Sequence, residues 1–379
     1  MVGYLRNAWY AAAFSDEVGE KPFARTLLDQ PVVIYRQQNG LLAMLEDRCP
    51  HRFAPLSGGL VLGSEIQCPY HGLRFDASGA CSHNPHMKGS GPLKAASVAS
   101  YTVIEKYGII WFWAGDLDRA DEGALPRIDF LEQPERFSVV KGRLHVKGNY
   151  ELIVDNLLDL SHASFIHPQF AANGTSPEQQ LAATNVKLER RERSIVNHRI
   201  RSGLPAPGPS QEMFGFGSTT PTHTKSTMIW YPPALLDFDA GTWEVGTPEE
   251  DGALIPQLHV ITPETALSSH YFFVNGRNRR RGDPDIDKKL LDFFDLAFRQ
   301  QDEPMIESVQ QRMGDVSDIM TLNPILLATD AAPVSARRIL ARLIAEEEEE
   351  RGAVGRGRAS QAPATHFTAP GHAPQETSV

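Results

Sequence analysis

Apolar positions in the first third of the chain fall in short dense runs: Val32-Val33-Ile34-Tyr35, Leu41-Leu42-Ala43-Met44-Leu45 and Ile109-Ile110-Trp111-Phe112-Trp113. These runs are β-branched or aromatic, and turn pairs such as Asn39-Gly40, Gly58-Gly59 and Ser78-Gly79 separate them. That pattern predicts an all-β unit over residues 1–118. Beyond about 119 the pattern becomes mixed. Strand-like runs (Leu258 to Ile261, Tyr271 to Val274) accompany three stretches of helical period, Glu151 to Ile166, Asp285 to Met313 and Val334 to Glu349. An α+β fold is expected, with a second domain over 119–345. Leu204 to Thr224, rich in Pro, Gly, Ser and Thr, reads as a long pocket-walling loop. Residues 346–379 read as five solvated glutamates followed by a disordered Gly/Ala/Pro-rich tail.

Composition narrows the function classes. The 379 residues are 41% hydrophobic and 22% charged, which excludes wholesale disorder. Acids exceed bases by 47 − 37 = 10, which disfavours nucleic acid or an anionic membrane as partner. No run of 18 apolar residues and no leader pattern are visible. Three cysteines, Cys49, Cys68 and Cys81, are too few for a disulfide framework and point to a cytoplasmic location.

Two of those cysteines stand beside histidines. Cys49-Pro50-His51 is followed, sixteen residues later, by Cys68-Pro69-Tyr70-His71-Gly72. Two Cys and two His suit a tetrahedral zinc. They equally suit an iron–sulfur cluster with thiolates on one iron and neutral imidazoles on the other, a set that raises the potential. Tight Pro- and Gly-containing loops, and the lack of any Cys-x-x-Cys pair, favour the cluster. Cys81 is then spare.

A second set lies at Asn156, Asp159, His162 and His167. The first three are spaced i, i+3, i+6, on one side of a helix. His162 and His167 are five apart, roughly 140° on an ideal helix, too far round for one metal. Pro168 should push His167 out of the α region and let its ring swing inward. Two imidazoles and a carboxylate on one face of an iron leave positions open for O₂ and substrate. The carboxylate must come from the helix Asp285 to Met313, whose apolar stripe is read as Leu291, Phe298, Ile306 and Val309. Asp295 and Asp302 both fall in that stripe; Pro304, opening a fresh turn just after Asp302, favours Asp302.

The pair of constellations, about ninety residues apart, resembles the Rieske non-haem iron oxygenases, large (α) subunit, and is nearest the vanillate O-demethylase oxygenase-component group. Asn7-Ala8-Trp9-Tyr10, Cys49-Pro50-His51-Arg52, Cys68-Pro69-Tyr70-His71-Gly72-Leu73, Asp155-Asn156-Leu157-Leu158-Asp159-Leu160 and Gln301-Asp302 carry the likeness. The resemblance implies a Rieske [2Fe–2S] domain followed by a helix-grip-like catalytic domain with an antiparallel sheet. It places the cluster on Cys49, His51, Cys68 and His71, and a mononuclear Fe(II) on His162, His167 and Asp302. It further implies a cyclic homotrimer in which Asp159 bridges His71 of a neighbouring subunit and His162 of its own, with Asn156 beside it.

The activity so implied is that of the terminal oxygenase of a multicomponent monooxygenase. NAD(P)H acts through a separate flavin and iron–sulfur reductase, or a ferredoxin, because the chain has no Gly-x-Gly-x-x-Gly after a strand. The expected reaction is O-demethylation of an aryl methyl ether with release of formaldehyde. Hydroxylation of an aryl methyl or ring carbon would use the same machinery. From other classes, a pure Rieske electron carrier would not need Asn156, Asp159, His162 and His167, and a zinc-stabilised binding module would hold no iron. Residues 205–275 contain only Lys225 as a Lys or Arg, with Met213, Phe214, Phe216, Met228, Trp230, Tyr231, Tyr271 and Phe272. The expected pocket is therefore apolar, which puts vanillate itself in question, and His223 is a candidate substrate contact.

Overall fold

The computed structural model describes residues 3–87, 92–93, 95–172 and 174–359, with side chains up to 352. The described residues of the N-terminal unit hold eleven strands: β1 (Trp9–Phe14), β2 (Phe23–Leu27), β3 (Gln30–Arg36), β4 (Leu42–Glu46), β5 (Leu60–Leu62), β6 (Glu65–Gln67), β7 (Arg74–Phe75), β8 (Cys81–His83), β9 (Ser100–Tyr101), β10 (Val103–Lys106) and β11 (Ile109–Trp113). They form sheets ordered β1-β11-β10, β2-β3-β4-β9 and β5-β6-β7-β8. The apolar runs are the strands, as their alternation and turn punctuation require.

The remainder is built on one antiparallel eight-stranded sheet. Its strands are β12 (Ser138–Val146), β13 (Thr184–Arg190), β14 (Ile195–Pro205), β15 (Pro221–Tyr231), β16 (Leu235–Glu244), β17 (Ala253–Leu254), β18 (Gln257–Thr265) and β19 (Ser268–Arg277). The order is β12-β19-β18-β16-β15-β14-β13, with β17 beside β16. The helices are α1 (Tyr150–Leu158), α2 (Ala163–Ile166), α3 (Pro177–Ala182), α4 (Gly208–Phe214), α5 (Pro284–Phe294), α6 (Glu303–Met313) and α7 (Ala331–Ala359). The segment expected as a long loop is instead the end of β14, α4 and the start of β15.

The inner strand β19 is buried along nearly its whole length because both faces are covered. Phe272 and Val274, with Leu235, Leu258 and Val260, pack on Trp9, Phe14, Trp111 and Trp113 of the N-terminal unit. The alternate residues Tyr271 and Phe273 face Leu158, Phe294, Phe298 and Ile306 of the helical layer. A period of two thus turns Tyr271-Phe272-Phe273-Val274 into two buried faces. Main-chain bonds join the two units directly: Leu28 N–H to the Pro263 carbonyl at 2.8 Å and Asp29 N–H to Glu264 at 2.9 Å.

Two expectations about the ends of elements need correction. Glu151 to Ile166 is not one helix: the backbone leaves the α region at Asp159 (φ −110, ψ 84), runs through a short 3₁₀ turn and resumes as α2. The glutamates of 346–350 are not merely solvated, and α7 continues beyond them through Ala359, into the stretch expected to be disordered. Glu347 is buried and accepts from the backbone N–H groups of Arg6 at 2.8 Å and Asn7 at 2.6 Å. It satisfies two donors of the N-terminal segment that no strand pairs. Residues 360–379 lie outside the described residues.

Helix α7 is held to α1 by a buried cation. Arg337, 8% exposed, donates to Asp155 at 2.7 Å, Glu151 at 3.0 Å and Asp318 at 3.3 Å. Burial pushes the Glu151 carboxyl up to about 7 despite the guanidinium. Arg337→Leu strands two buried carboxylates without a counter-charge and should cost about 3–5 kcal/mol. A urea midpoint at neutral pH within error of the parent would show that the ion cluster does not hold α7.

Candidate functional site

The two Cys-His pairs sit on matched loops. Cys49 N–H donates to Ala54 O and Phe53 N–H back to Cys49 O, both at 2.9 Å. Cys68 N–H donates to Leu73 O at 2.8 Å and Gly72 N–H to Cys68 O at 3.2 Å. Each loop therefore closes over the same number of residues, and each puts its fifth residue in the left-handed region: Phe53 at φ 59, Gly72 at φ 74. Gly59 supports them by close approach, since a Cβ there would lie 1.9 Å from the Gln67 carbonyl oxygen.

The loops bury both thiols, Cys49 at 1% and Cys68 at 2% exposure, and set the His51 and His71 rings edge to face with centroids 4.5 Å apart. Burial, with Cys68 as neighbour, pushes the Cys49 thiol up to about 11. Among the described residues no three of these four groups bring ligand atoms within 4.8 Å of one another, as a single tetrahedral metal requires. Thiols on one side and imidazoles on the other fit a two-iron cluster instead. Cys81 stands apart in β8, its thiol on the His83 carbonyl at 3.5 Å.

The second constellation closes in space. Ligand atoms of His162, His167 and Asp302 all lie within 4.8 Å of one another. Asp302 Oδ1 is 3.2 Å from His167 Nε2 and 3.5 Å from His162 Nε2. The other ring nitrogens are taken: His162 Nδ1 pairs with the Asp159 carbonyl oxygen at 2.6 Å and His167 Nδ1 with Gln301 Oε1 at 2.7 Å. Both partners are acceptors, so each Nδ1 carries the proton and each Nε2 presents a lone pair. Asn156 Nδ2 donates to Asp302 Oδ1 at 3.3 Å. Burial lowers the His162 proton affinity despite Asp302, whereas for His167 the carboxylate outweighs burial and raises it.

Local breaks in the helices make this convergence possible. Asp159 ends α1 and caps the next turn, its Oδ1 accepting from Ser161 N–H at 3.0 Å. Asp159 and His162 therefore do not share a continuous helix face. The bond expected between the Asp159 carboxylate and His162 is made within the chain by the Asp159 main chain. His167, before Pro168, has φ −118 and ψ 68, outside the α region.

Between α5 and α6 the segment Asp295–Asp302 is π-helical, with Glu303 N–H reaching the Phe298 carbonyl five residues back. Ile286, Leu290, Phe294, Phe298, Asp302, Ile306 and Gln310 are all buried, a strict spacing of four. On a pure α-helix that stripe would drift by roughly 40° at each step; the wider π turns absorb the drift. The stripe read through Leu291 is consequently wrong, since Leu291 is 39% exposed. Asp295 is turned outward onto Arg299 at 2.7 Å, leaving Asp302 as the buried carboxylate.

His162, His167 and Asp302 open on a cavity of about 190 Å³. Its apolar lining includes Leu157, Leu160, Phe170, Met228, Phe238, Phe294 and Phe298. Of the residues expected to wall it, Met228 does so, whereas Trp230, Tyr271 and Phe272 are core. His223 is not in the lining: it bonds Ser202 at 2.8 Å and packs on Trp243. Nor is the cavity free of cations. Arg199 and Arg201 of β14 line it, just upstream of the stretch in which Arg and Lys were sought. His259 was also missed. It is 1% exposed, in the lining, and bonded to the Tyr271 hydroxyl at 2.8 Å. The alternation of β14 and β18 was the available signal.

Two family models account for most of the chain. Residues 8–102 match the Rieske [2Fe-2S] domain, and 146–346 match the vanillate O-demethylase oxygenase C-terminal domain. The dicamba O-demethylase oxygenase component of Stenotrophomonas maltophilia is 39% identical over 90% of this chain and 98% of that one. The chain belongs to the Rieske oxygenases of this type. The chloroacetanilide N-alkylformylase oxygenase component of Rhizorhabdus wittichii is 35% identical over 89% of this chain and 94% of its own. The crystal structure of dicamba monooxygenase bound to 3,6-dichlorosalicylic acid superposes with a TM-score of 0.84 at 34% identity, covering 92% of this chain and 99% of that one. The chain is thus the oxygenase component of a Rieske monooxygenase, with an all-β Rieske domain and a mixed domain on an antiparallel sheet. Among the described residues no helix is long and apolar enough to cross a membrane.

In this Rieske oxygenase His259 ties pocket to stability. Burial holds its imidazolium down to about 3, against an ordinary 6.5. The unfolded chain takes up that proton below about pH 6.5, while the folded chain refuses it until about 3. Stability from this residue is whole above 6.5 and is lost as pH falls through the window. His259→Asn should flatten the acid limb of a melting temperature–pH curve between 6.5 and 4; an equally steep limb would remove His259 as its source.

Proposed function

We propose that this chain removes a methyl group from an aryl methyl ether, using O₂ and electrons delivered by a separate protein. The observation that carries the reading is the His162–His167–Asp302 set, with His167 and Asp302 buried, opening on a largely apolar cavity. Cys49, His51, Cys68 and His71 hold the Rieske cluster, and His162, His167 and Asp302 hold a mononuclear Fe(II). Iron bound there supplies the coordination positions at which O₂ is activated.

The chain's own residues set the conditions. Gln301 and the Asp159 carbonyl hold the two imidazoles in the tautomer that leaves Nε2 free. Asn156 donates to the same Asp302 oxygen that faces the two imidazoles and helps fix the carboxylate. Phe238, Phe294 and Phe298 keep bulk water from the methyl group and present it to the ligand set. Hydroxylation of an ether methyl gives a hemiacetal, which collapses to a phenol and formaldehyde. The second atom of O₂ leaves as water, with two electrons from NAD(P)H.

Those electrons arrive through a flavin and iron–sulfur reductase or a ferredoxin in the cytoplasm. They enter at the histidine edge of the cluster, where Phe53 and Tyr70 are exposed. A cyclic homotrimer, with Asp159 between the cluster of one subunit and the iron of the next, completes the route. The chain divides near 118/119, inside the stretch that neither family model spans. The relatives' names leave the substrate's charge open, since one structure holds an acid and another relative acts on an anilide.

Asp302→Ala should lose the mononuclear iron while keeping the visible spectrum of the cluster, with turnover abolished; retained activity would refute the ligand set. With NADH, a Rieske reductase and a panel of aryl methyl ethers, turnover should release formaldehyde and a phenol in equal amounts. A hydroxylated product that keeps its methoxy group would identify ring hydroxylation instead.

A further inference from the structure

A second cavity, of about 130 Å³, adjoins the first. Phe170, Phe238, Phe294, Thr224, Ser226 and Gln257 line both, so the two spaces share a wall. His162, His167 and Asp302 line only the first. The second lies farther along β15 and β16, where Met213 of α4 and Leu290 and Phe293 of α5 cover it.

The sheet makes this space. On one face of the β15–β16 pair, Met228 stands opposite Phe238, Ser226 opposite Ala240, and Thr224 opposite Thr242. Side-chain size drops at the second rung, from the Met–Phe pair of the first cavity to Ser–Ala. Helix α5 does not fill the step: Phe294 lines both cavities, and Leu290, one turn earlier, lines the second alone. Phe170, three residues after His167, sets its ring edge to face on His167 at 5.2 Å and on Phe293 at 4.7 Å between centroids. A group in the second cavity therefore touches a ring that itself rests on His167.

The lining selects a neutral occupant. Among the described residues that line this cavity only Lys225 is charged, and its ammonium is bonded to Asp239 at 2.7 Å and to Glu249. Lys225 and Asp239 fall on the opposite face of the sheet from Ser226 and Ala240. An anion or cation would be stripped of water there without a partner, whereas hydrocarbon would be taken out of water against Met213, Leu290 and the phenylalanine rings. We propose that the second cavity is a subsite for a hydrocarbon substituent of the substrate ring, so that the substrate is an aryl methyl ether carrying a chain of about four carbons. The ether rests on the oxidative reading above; the hydrocarbon arm rests on the second cavity alone. A cavity of ~150 Å³ lined by Leu, Ile and Phe accepts benzene. The first cavity, at about 190 Å³, thus suits the ring with its methoxy group, and the second, at about 130 Å³, suits a short chain.

The test is anaerobic titration calorimetry on the holoenzyme with methoxybenzenes carrying a methyl, ethyl, propyl, butyl, hexyl or octyl chain at the ortho, meta or para position. At one position or more, affinity should rise about threefold per added carbon up to butyl and then level or fall at hexyl and octyl. Ala240→Leu, which fills the second cavity, should shrink the gain of butyl over methyl to within about threefold. Met213→Ala, which widens it, should move the chain limit from butyl to hexyl. Affinity that does not rise from methyl to butyl at any position overturns the subsite. A rise that continues unbroken to octyl does so too, being the mark of partition onto any apolar surface, as does a gain unchanged in both variants. If Ala240→Leu weakens methyl and butyl compounds alike while Met213→Ala leaves the limit at butyl, these residues are merely structural and the subsite is again overturned. Formaldehyde is assayed separately on the same compounds, so its absence would fault the demethylation reading while calorimetry still decides the subsite.

Discussion

Asp302 carries its carboxylate 6% exposed, 3.2 Å and 3.5 Å from two imidazole nitrogens, and that placement constrains much of the catalytic domain. A carboxylate so deep is tolerated only with partners on every side. The imidazoles must come from a helix that stops at Asp159 and again at His167. The carboxylate must come from a helix that widens into π turns to keep residues four apart facing inward. Gln301, Gln169 and Asn156 then complete the polar ring, with Gln169 Nε2 on Gln301 Oε1 at 2.7 Å. Each irregularity in these helices is thus the condition for one ligand.

The same economy shapes the pocket. One face of β14 carries both, burying Ile195 in the core at one end and presenting Arg199 and Arg201 beside His162, His167 and Asp302 further along. Apolar side chains from the helical layer close the other side. The result is a small cavity with His162, His167 and Asp302 at one end and Arg199 and Arg201 in its wall. The N-terminal domain contributes from a distance: its tryptophans cover the back of the sheet whose front lines the pocket.

Much of this was legible in one dimension. The Cys-x-His and Cys-x-x-His loops are local, and their chemistry depends on spacing within a few residues, so Cys49, His51, Cys68 and His71 stand out as a candidate set without a fold. His162 and His167 stand out as candidates because Pro168 announces a break in the helix. What was misread involved distance or irregular geometry. Leu291 was taken for a core residue because a 3.6-residue period was applied through π turns. Glu347 was read as solvated because its partners, the N–H groups of Arg6 and Asn7, lie at the other end of the chain. Arg199 and Arg201 were passed over because the pocket was sought in one continuous stretch, whereas register pairing between strands assembles it.

By itself, then, the sequence determined the two constellations, the all-β and mixed halves and the iron-dependent oxidative chemistry, because ligand type, short spacing and apolar period are properties of neighbouring residues. Pro304 and the Gln301-Asp302 likeness favour Asp302 over Asp295, but only the tertiary structure turns Asp295 outward onto Arg299 and faces Asp302 to the histidines. It alone decided that the Asp159 main chain is what holds His162, and that Arg199 and Arg201 of β14 line the cavity beside it. Those facts depend on where segments far apart in the chain are packed. Burial, which decides whether a charge needs a partner, exists only after that packing is complete.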